Sequence, residues 1–570
     1  MKHALILFLV VTSLAALSAG RSDYFDLMEA AVSAYSCERI SSYIEDVEQN
    51  GIREHGFARL AANLAILVAK GRMRERKDQL RLLMDLCARE QPRAHRRNGA
   101  SADGHLAVGT EFAMKELVFA LVELERSEVF PKALTDGWRA AFASVVAECD
   151  YSCQPPVGDP SAHNWAIFGA VSEQVRLWAK MGGNASWAEK YIADQLRFFD
   201  VNGMYRDPGS PMVYDLVPRL QIATMLAFGY DGPSRGALEA VLVKSAWPTL
   251  AMQSVTGEVP YGGRSNQFLH NDVLYAALCE WYAASAAKAG DLATAERFRS
   301  AADRSVRYVQ AWLREKPVRH VKNHFPTVLG YGCEPYAHFN KYMVTIGSWA
   351  YLASCFADES VKLSAKEEPG SVFVTGIDFH RVMTSARGYT LEFDLKGQEG
   401  YDASGLGRLH CAGAPSALAL SVPFPVNAHY RMDITNDFAC ALGPRWEKYE
   451  LVSAKVGEIR LSDGSQALWT SRVSPRGVEM SVSQKGGIVF DVPAFAFDGE
   501  METVIAADDR WIEVAYRGWT CRYETDGRLY DTGRILGNRN GHYRHFVAEG
   551  KTSLCVTCRI IKDNSSERNK

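Results

Sequence analysis

Ala365-Lys-Glu-Glu-Pro-Gly-Ser371 divides the chain into two textures. On its N-terminal side, apolar residues recur at the helical interval. Phe57, Leu60, Ala61, Leu64, Leu67 and Val68 form one such stripe, and Gly71 ends it. Segments 111–124, 165–180, 272–287, 292–313 and 342–356 repeat the pattern, with Gly and Pro between them. The spacing predicts antiparallel helix pairs in a bundle, a solenoid or a closed toroid. No fixed repeat period runs through them, which disfavours a regular solenoid. Beyond the divide, Tyr389-Thr-Leu-Glu-Phe-Asp-Leu395 alternates apolar and polar residues, as a half-buried strand does. Segments 457–461, 487–492 and 511–516 are further strand candidates, separated by Ser-Asp-Gly and Lys-Gly-Gly turns. Strands at this spacing without intervening helices predict antiparallel sheets, most simply a β-sandwich. The expected organisation is a helical domain over 21–365, an all-β domain over 371–562 and a polar, flexible tail over 563–570.

Composition bounds the function. A chain of 570 residues is too long for a single small binding module, and 47% hydrophobic with 23% charged residues excludes wholesale disorder. The 64 basic and 67 acidic side chains leave a formal charge of −3, without the basic excess of a nucleic-acid binder. Residues 1–20 begin Met1-Lys-His3, continue through an apolar run over 4–17 and end Ser18-Ala-Gly20. That order predicts a cleavable signal peptide and an exported protein, periplasmic or secreted, with no membrane contact after cleavage. Among the 12 cysteines, Cys149/Cys153 and Cys555/Cys558 are the close pairs. Cys555/Cys558 has no partner pair at zinc-site spacing and reads as structural.

Four polar, aromatic-rich segments are candidate chemistry. In Asp159-Pro-Ser-Ala-His-Asn-Trp165, Ser161 is the expected N-cap, which puts His163 and Asn164 in a first helical turn where the dipole favours an anion. In the stretch 257–271, Tyr261 and Arg264 flank Gly262-Gly263; an Arg beside a Tyr favours the phenolate and prepares it to move a proton. The alternative for this pair is packing and bracing. In 320–342, His320 and His324 invite a metal reading with Glu334 or His338. Pro317, Asn323 and Pro326 break the helix such a site needs, so a sugar-lined wall of Tyr336, His338 and Tyr342 is preferred. In Gly400–His410, the glycines predict a turn that aims Arg408 or His410 at the helical domain.

Pro260-Tyr-Gly-Gly-Arg-Ser-Asn-Gln-Phe268, Asn164-Trp165 and Gly347-Ser-Trp-Ala-Tyr-Leu-Ala353 resemble motifs of a bacterial α/α-toroid family of unknown function. More distantly, the architecture resembles the heparinase II/III-like and alginate-lyase-like polysaccharide lyases. The resemblance implies β-elimination from a uronic-acid polysaccharide, an anionic substrate, and no metal or organic cofactor. It implies Asn164, with His163, as carboxylate neutraliser, Tyr261 as proton shuttle, and His410 with His338 or His324 as further acid–base groups. Arg264, His324, Tyr336, Tyr342, Trp165 and Arg408 would line the substrate path. The order His163-Asn164 departs from the Asn-His order of those lyases. Two rival expectations stand beside this one. The first is an α/α-toroid glycoside hydrolase using two of Asp207, Asp215, Glu258 and Asp272. The second is a non-catalytic glycan-binding protein.

Overall fold

The computed structural model describes residues 20–94, 109–209, 211–364, 369–428 and 430–563. The expected signal peptide up to residue 19, the divide at 365–368 and the tail beyond 563 lie outside the described residues. Among the described residues, the first part holds α1 (Arg21–Ser33), α2 (Cys37–Asn50), α3 (His55–Ala69), α4 (Lys77–Glu90), α5 (Thr110–Ser127), α6 (Lys132–Ala143) and α7 (Ala147–Asp150). It continues with α8 (Asn164–Trp178), α9 (Ala185–Gln195), α10 (Met212–Ala227), α11 (Arg235–Ala251), α12 (His270–Lys288), α13 (Leu292–Arg314) and α14 (Phe339–Phe356). Among these helices, none is long and apolar enough to cross a membrane.

Two kinds of helix build this part. In α3 and α5 nearly every residue is buried, as is every residue of α12 from His270 to Glu280, including polar ones. In α2 and α13 only one stripe is buried, such as Phe298, Ala302, Val306 and Val309 of α13. A helix buried all round belongs inside, and a one-stripe helix belongs outside. The contacts agree: α3, α5, α8, α10, α12 and α14 each pack on the next, and α14 returns to α3. The outer layer follows, with α4 on α3, α6 on α5, α9 on α8, α11 on α10, α13 on α12 and α1 on α14.

Among its described residues, the second part holds strands and no helix. β1 (Ser371–Val374), β2 (Arg381–Ala386), β3 (Tyr389–Asp394) and β4 (Gly405–Cys411) pair antiparallel in chain order. An eight-stranded sheet and a second four-stranded sheet follow, also antiparallel. Their apolar faces meet in a separate core around Trp469, Phe490, Phe393 and Tyr543. Trp511–Tyr516 shows the expected alternation of burial. β3 does not: all of its residues are buried. Its polar face is covered by the helical part, where the Val255 amide donates to Thr390 Oγ1 at 3.0 Å.

Candidate active site

The first turns of all the inner helices face one cavity of about 110 Å³. Its wall takes His55 from α3, Phe112 from α5, Asn164 and Trp165 from α8, Tyr214 from α10, His270 from α12, and Lys341 and Tyr342 from α14. Each helix N-terminus carries roughly half a positive charge, so six of them converging create a field that favours an anion. Lys341 on the wall reinforces it, while Arg59 beside it is paired with buried Glu116 at 2.8 Å, and none of the wall's described residues is Asp or Glu. Burial and Arg59 hold the His270 imidazole well below its usual pKa, so it is neutral. Its Nδ1 is buried without a hydrogen-bond partner.

Behind the cavity, a short relay fixes the amide. Asn164 Nδ2 donates to Asp207 Oδ1 at 2.7 Å, and Arg264 pairs with the other carboxylate oxygen. The Arg264 guanidinium also lies over the Tyr214 ring, 4.2 Å from its centroid. Burial raises the Tyr214 pKa and Arg264 pulls against it, leaving a protonated phenol that can donate. Ser265 Oγ donates to the Tyr214 hydroxyl at 3.2 Å and also meets Tyr336. Tyr342 stacks on Phe268 at 4.3 Å and lies nearly parallel to His270. The Asp207 carboxylate is pushed up by burial and drawn back by Arg264 and Asn164.

Some residues singled out in the sequence meet here, and others do not. Asn164, Trp165 and Tyr342 line the cavity, while Arg264 and Tyr336 brace its edge. His163 is the N-cap of α8 in place of Ser161, and its Nε2 turns to Asp159 at 3.6 Å. His338 caps α14 and is exposed.

The pairing of Tyr261 with Arg264 requires correction. Gly262 and Gly263 both have positive φ (125° and 65°), and the turn sends the two side chains apart. Tyr261 enters the junction with the β part, 1% exposed, beneath Arg381 at 4.2 Å. Burial raises its pKa, opposite to the expected shift, and its hydroxyl has no partner. His410 does face the helical part, but as a sealed residue. Its Nδ1 meets Ser254 Oγ at 2.7 Å and its Nε2 meets Ser421 Oγ at 3.1 Å. Burial lowers its pKa to about 3. Arg408 is fully buried between Glu258 (3.6 Å), Glu392 (3.3 Å) and the Val259 carbonyl (2.9 Å).

The histidine pair does not form a metal centre. His320 Nε2 meets the Ala337 carbonyl at 2.8 Å, while His324 packs against Trp312 in another cavity. One donor cluster elsewhere has metal-like spacing: Cys440, Asp491 and His545 hold ligand atoms within 4.8 Å of one another in the β core. Asp491 there already accepts from Arg445 at 3.1 Å and pairs with His545 at 2.9 Å.

Tyr214, His270, Lys341 and His55 escaped the sequence reading, and Asp207 entered it only as a possible hydrolytic acid. The available signal was positional: each of the four lies in the opening turn of an inner helix, and Pro211 marks that opening for Tyr214.

No protein-family model matches the sequence, and no curated protein is similar to it. Solved structures do resemble it. The crystal structure of heparinase III superposes with a TM-score of 0.47 at 9% identity, covering 97% of this chain and 87% of that one. A heparan sulfate lyase from Pedobacter heparinus reaches 0.42 at 10% identity, over 89% of this chain and 76% of the lyase. A glycosyl hydrolase of family 88 from Bacteroides vulgatus reaches 0.38 at 13% identity, over 59% of this chain and 99% of the hydrolase. Lyases and a hydrolase thus share the likeness, and at these values it supplies no residue correspondence.

Proposed function

We propose that the protein is a polysaccharide lyase that cleaves a uronic-acid-containing glycan by β-elimination. One observation carries this reading: a cavity that gathers six helix N-termini, Lys341 and the Asn164 amide, beside the Tyr214 hydroxyl and a neutral His270. In this reading the closed helix ring is an (α/α) toroid over 21–365, and the β part over 371–562 is a sandwich. The N-terminal segment directs export.

A proton beside a carboxylate becomes removable when donors offset the charge that develops in the enolate. Asn164 Nδ2 and Lys341 Nζ supply those donors. His270 takes the C5 proton; the C5–H electrons form the C4=C5 bond and expel O4; the Tyr214 hydroxyl gives its proton to O4. Such acid–base assistance is worth roughly 10²–10⁴-fold. Arg264 and Asp207 position Asn164 and Tyr214. Tyr261, Arg408 and His410 brace the junction.

A hydrolase needs two carboxylates facing the glycosidic bond. The described cavity wall offers none, and Asp215 is spent in a buried pair with Arg219. The test is a panel of heparan sulfate, alginate, hyaluronan and polygalacturonate, followed by the ultraviolet absorbance of newly conjugated ends. Absorbance rising with each cut supports elimination. Reducing ends without absorbance, or no cleavage of any uronate polymer, overturns it.

A further inference from the structure

A second cavity, of about 320 Å³, lies between the C-terminal end of α13, the loop 315–324 and the β part. It shares no residue with the wall of the helix-ring cavity. Its size falls at the lower end of small-molecule sites, ~300–1,000 Å³. Three polar side-chain atoms on its lining residues are buried without a partner: Arg319 Nε, Arg539 Nε and Asn540 Nδ2. All three are donors, and each belongs to a residue no more than 5% exposed. Buried donors without acceptors are costly, so they point to a ligand rich in acceptor oxygens.

The charges around the cavity sharpen its chemistry. Glu258 pairs with Arg408 at 3.6 Å and accepts from Ser416. Asp498 accepts from Tyr516 at 2.7 Å and Arg517 at 3.2 Å, and Glu500 pairs with Arg319 at 3.2 Å. Glu315 is exposed. Lys322 is matched by Asp272 at 3.1 Å. Among the described residues, no carboxylate lies within ion-pair distance of Arg539, whose Nη1 is held only by the Asn266 side-chain oxygen. Burial lowers the His324 pKa to about 4, so this wall residue is neutral at pH 7. Among the buried cations of the wall, the Arg539 guanidinium is therefore the one without a carboxylate partner. Trp312 and Trp519, both half-buried, add flat apolar faces at the mouth. Aromatic faces beside polar donors suit a sugar ring, with its apolar face and hydroxyl edge.

We propose that this junction cavity binds a pyranose ring carrying an oxyanion, with Arg539 and Asn540 on the charged group and Trp312 and Trp519 against the ring. As a binding site, it would hold a second stretch of an acidic glycan away from the helix-ring cavity. The inference does not depend on the elimination reading: a protein without lyase activity would still bind here, and a lyase lacking this site would still turn over short substrates.

The test is titration calorimetry of the full chain with glucuronate, glucose and inorganic sulfate, on wild type and on Asn164→Ala, Arg539→Gln and Trp312→Ala. Glucuronate should bind saturably and retain that affinity in Asn164→Ala. Arg539→Gln and Trp312→Ala should each weaken it at least about tenfold, or ~1.4 kcal/mol. Circular dichroism melts check folding, and half-buried Trp312 keeps the test decisive if Arg539→Gln does not fold. Glucose or sulfate binding as tightly as glucuronate overturns the proposal. So does an absence of saturable heat, or binding lost in Asn164→Ala but intact in both junction variants.

Discussion

The helix-ring cavity and the junction beneath β3 and β4 are built from the same residue types. Each holds a tyrosine under an arginine, a histidine with a depressed pKa, and carboxylates behind them. They differ in what is left open. In the junction, Arg408 and Arg381 are matched by Glu258, Glu392, Asp394 and Asp402, and Tyr261 is sealed. In the ring, Lys341 and the helix ends have no facing acid on the cavity wall. Paired charge builds an interface, and unpaired charge beside space builds a site. That contrast places the proposed chemistry at Tyr214 rather than Tyr261.

The largest expected effect comes from Asn164→Ala. Removing one donor to a developing oxyanion costs roughly 10²–10³-fold in kcat. Turnover should fall by that much on the substrate found in the panel, with circular dichroism confirming a folded chain; full activity would remove Asn164 from the site. Gly407→Ala should act on the other region. An added methyl there overlaps the Tyr261 hydroxyl and ring, so denaturant unfolding should show a loss of about 1–3 kcal/mol. An unchanged midpoint would show the junction to be looser than drawn.

The third effect is a pH dependence of stability. His410 titrates at about 3 when folded against roughly 6.5 unfolded, so the unfolded chain binds the extra proton between those values. Stability should be full above about pH 6.5 and fall as pH drops toward 3. His320 and His324, both lowered to about 4, add to the same slope. His410→Gln should flatten the loss between neutral and acidic buffer without abolishing it. An identical slope would mean that His410 is not sealed. The smallest effect is Tyr261→Phe. The hydroxyl is buried without a partner, so deleting it should stabilise the protein by about 1 kcal/mol or less. Clear destabilisation would reveal a hydrogen bond at that hydroxyl.

Much of this architecture is legible in residue periodicity. The stripe from Phe57 to Val68 lies within α3, and the predicted segment 342–356 lies within α14, Phe339–Phe356. Ring closure is not legible, because α14 meets α3 across nearly the whole helical part and no local pattern encodes that contact. The residues of the cavity wall were legible only in part. Asn164 announces itself by its place at a helix start. Tyr261 and Tyr214 both follow turn residues, and only distant segments decide which is covered. Gly407 and Arg381 close over Tyr261, whereas Tyr214 keeps its place on the cavity wall. β3 repeats the lesson: its alternation announces one wet face, and the loop 254–264 dries it.

The most direct test of the central claim compares Tyr214→Phe with Tyr261→Phe on one uronate polymer, following the absorbance of new unsaturated ends. Loss of Tyr214 should lower turnover by two orders of magnitude or more, in line with acid–base assistance of roughly 10²–10⁴-fold, while Tyr261→Phe keeps the wild-type rate. The reverse pattern, with Tyr261→Phe inactive and Tyr214→Phe unaffected, would contradict the account.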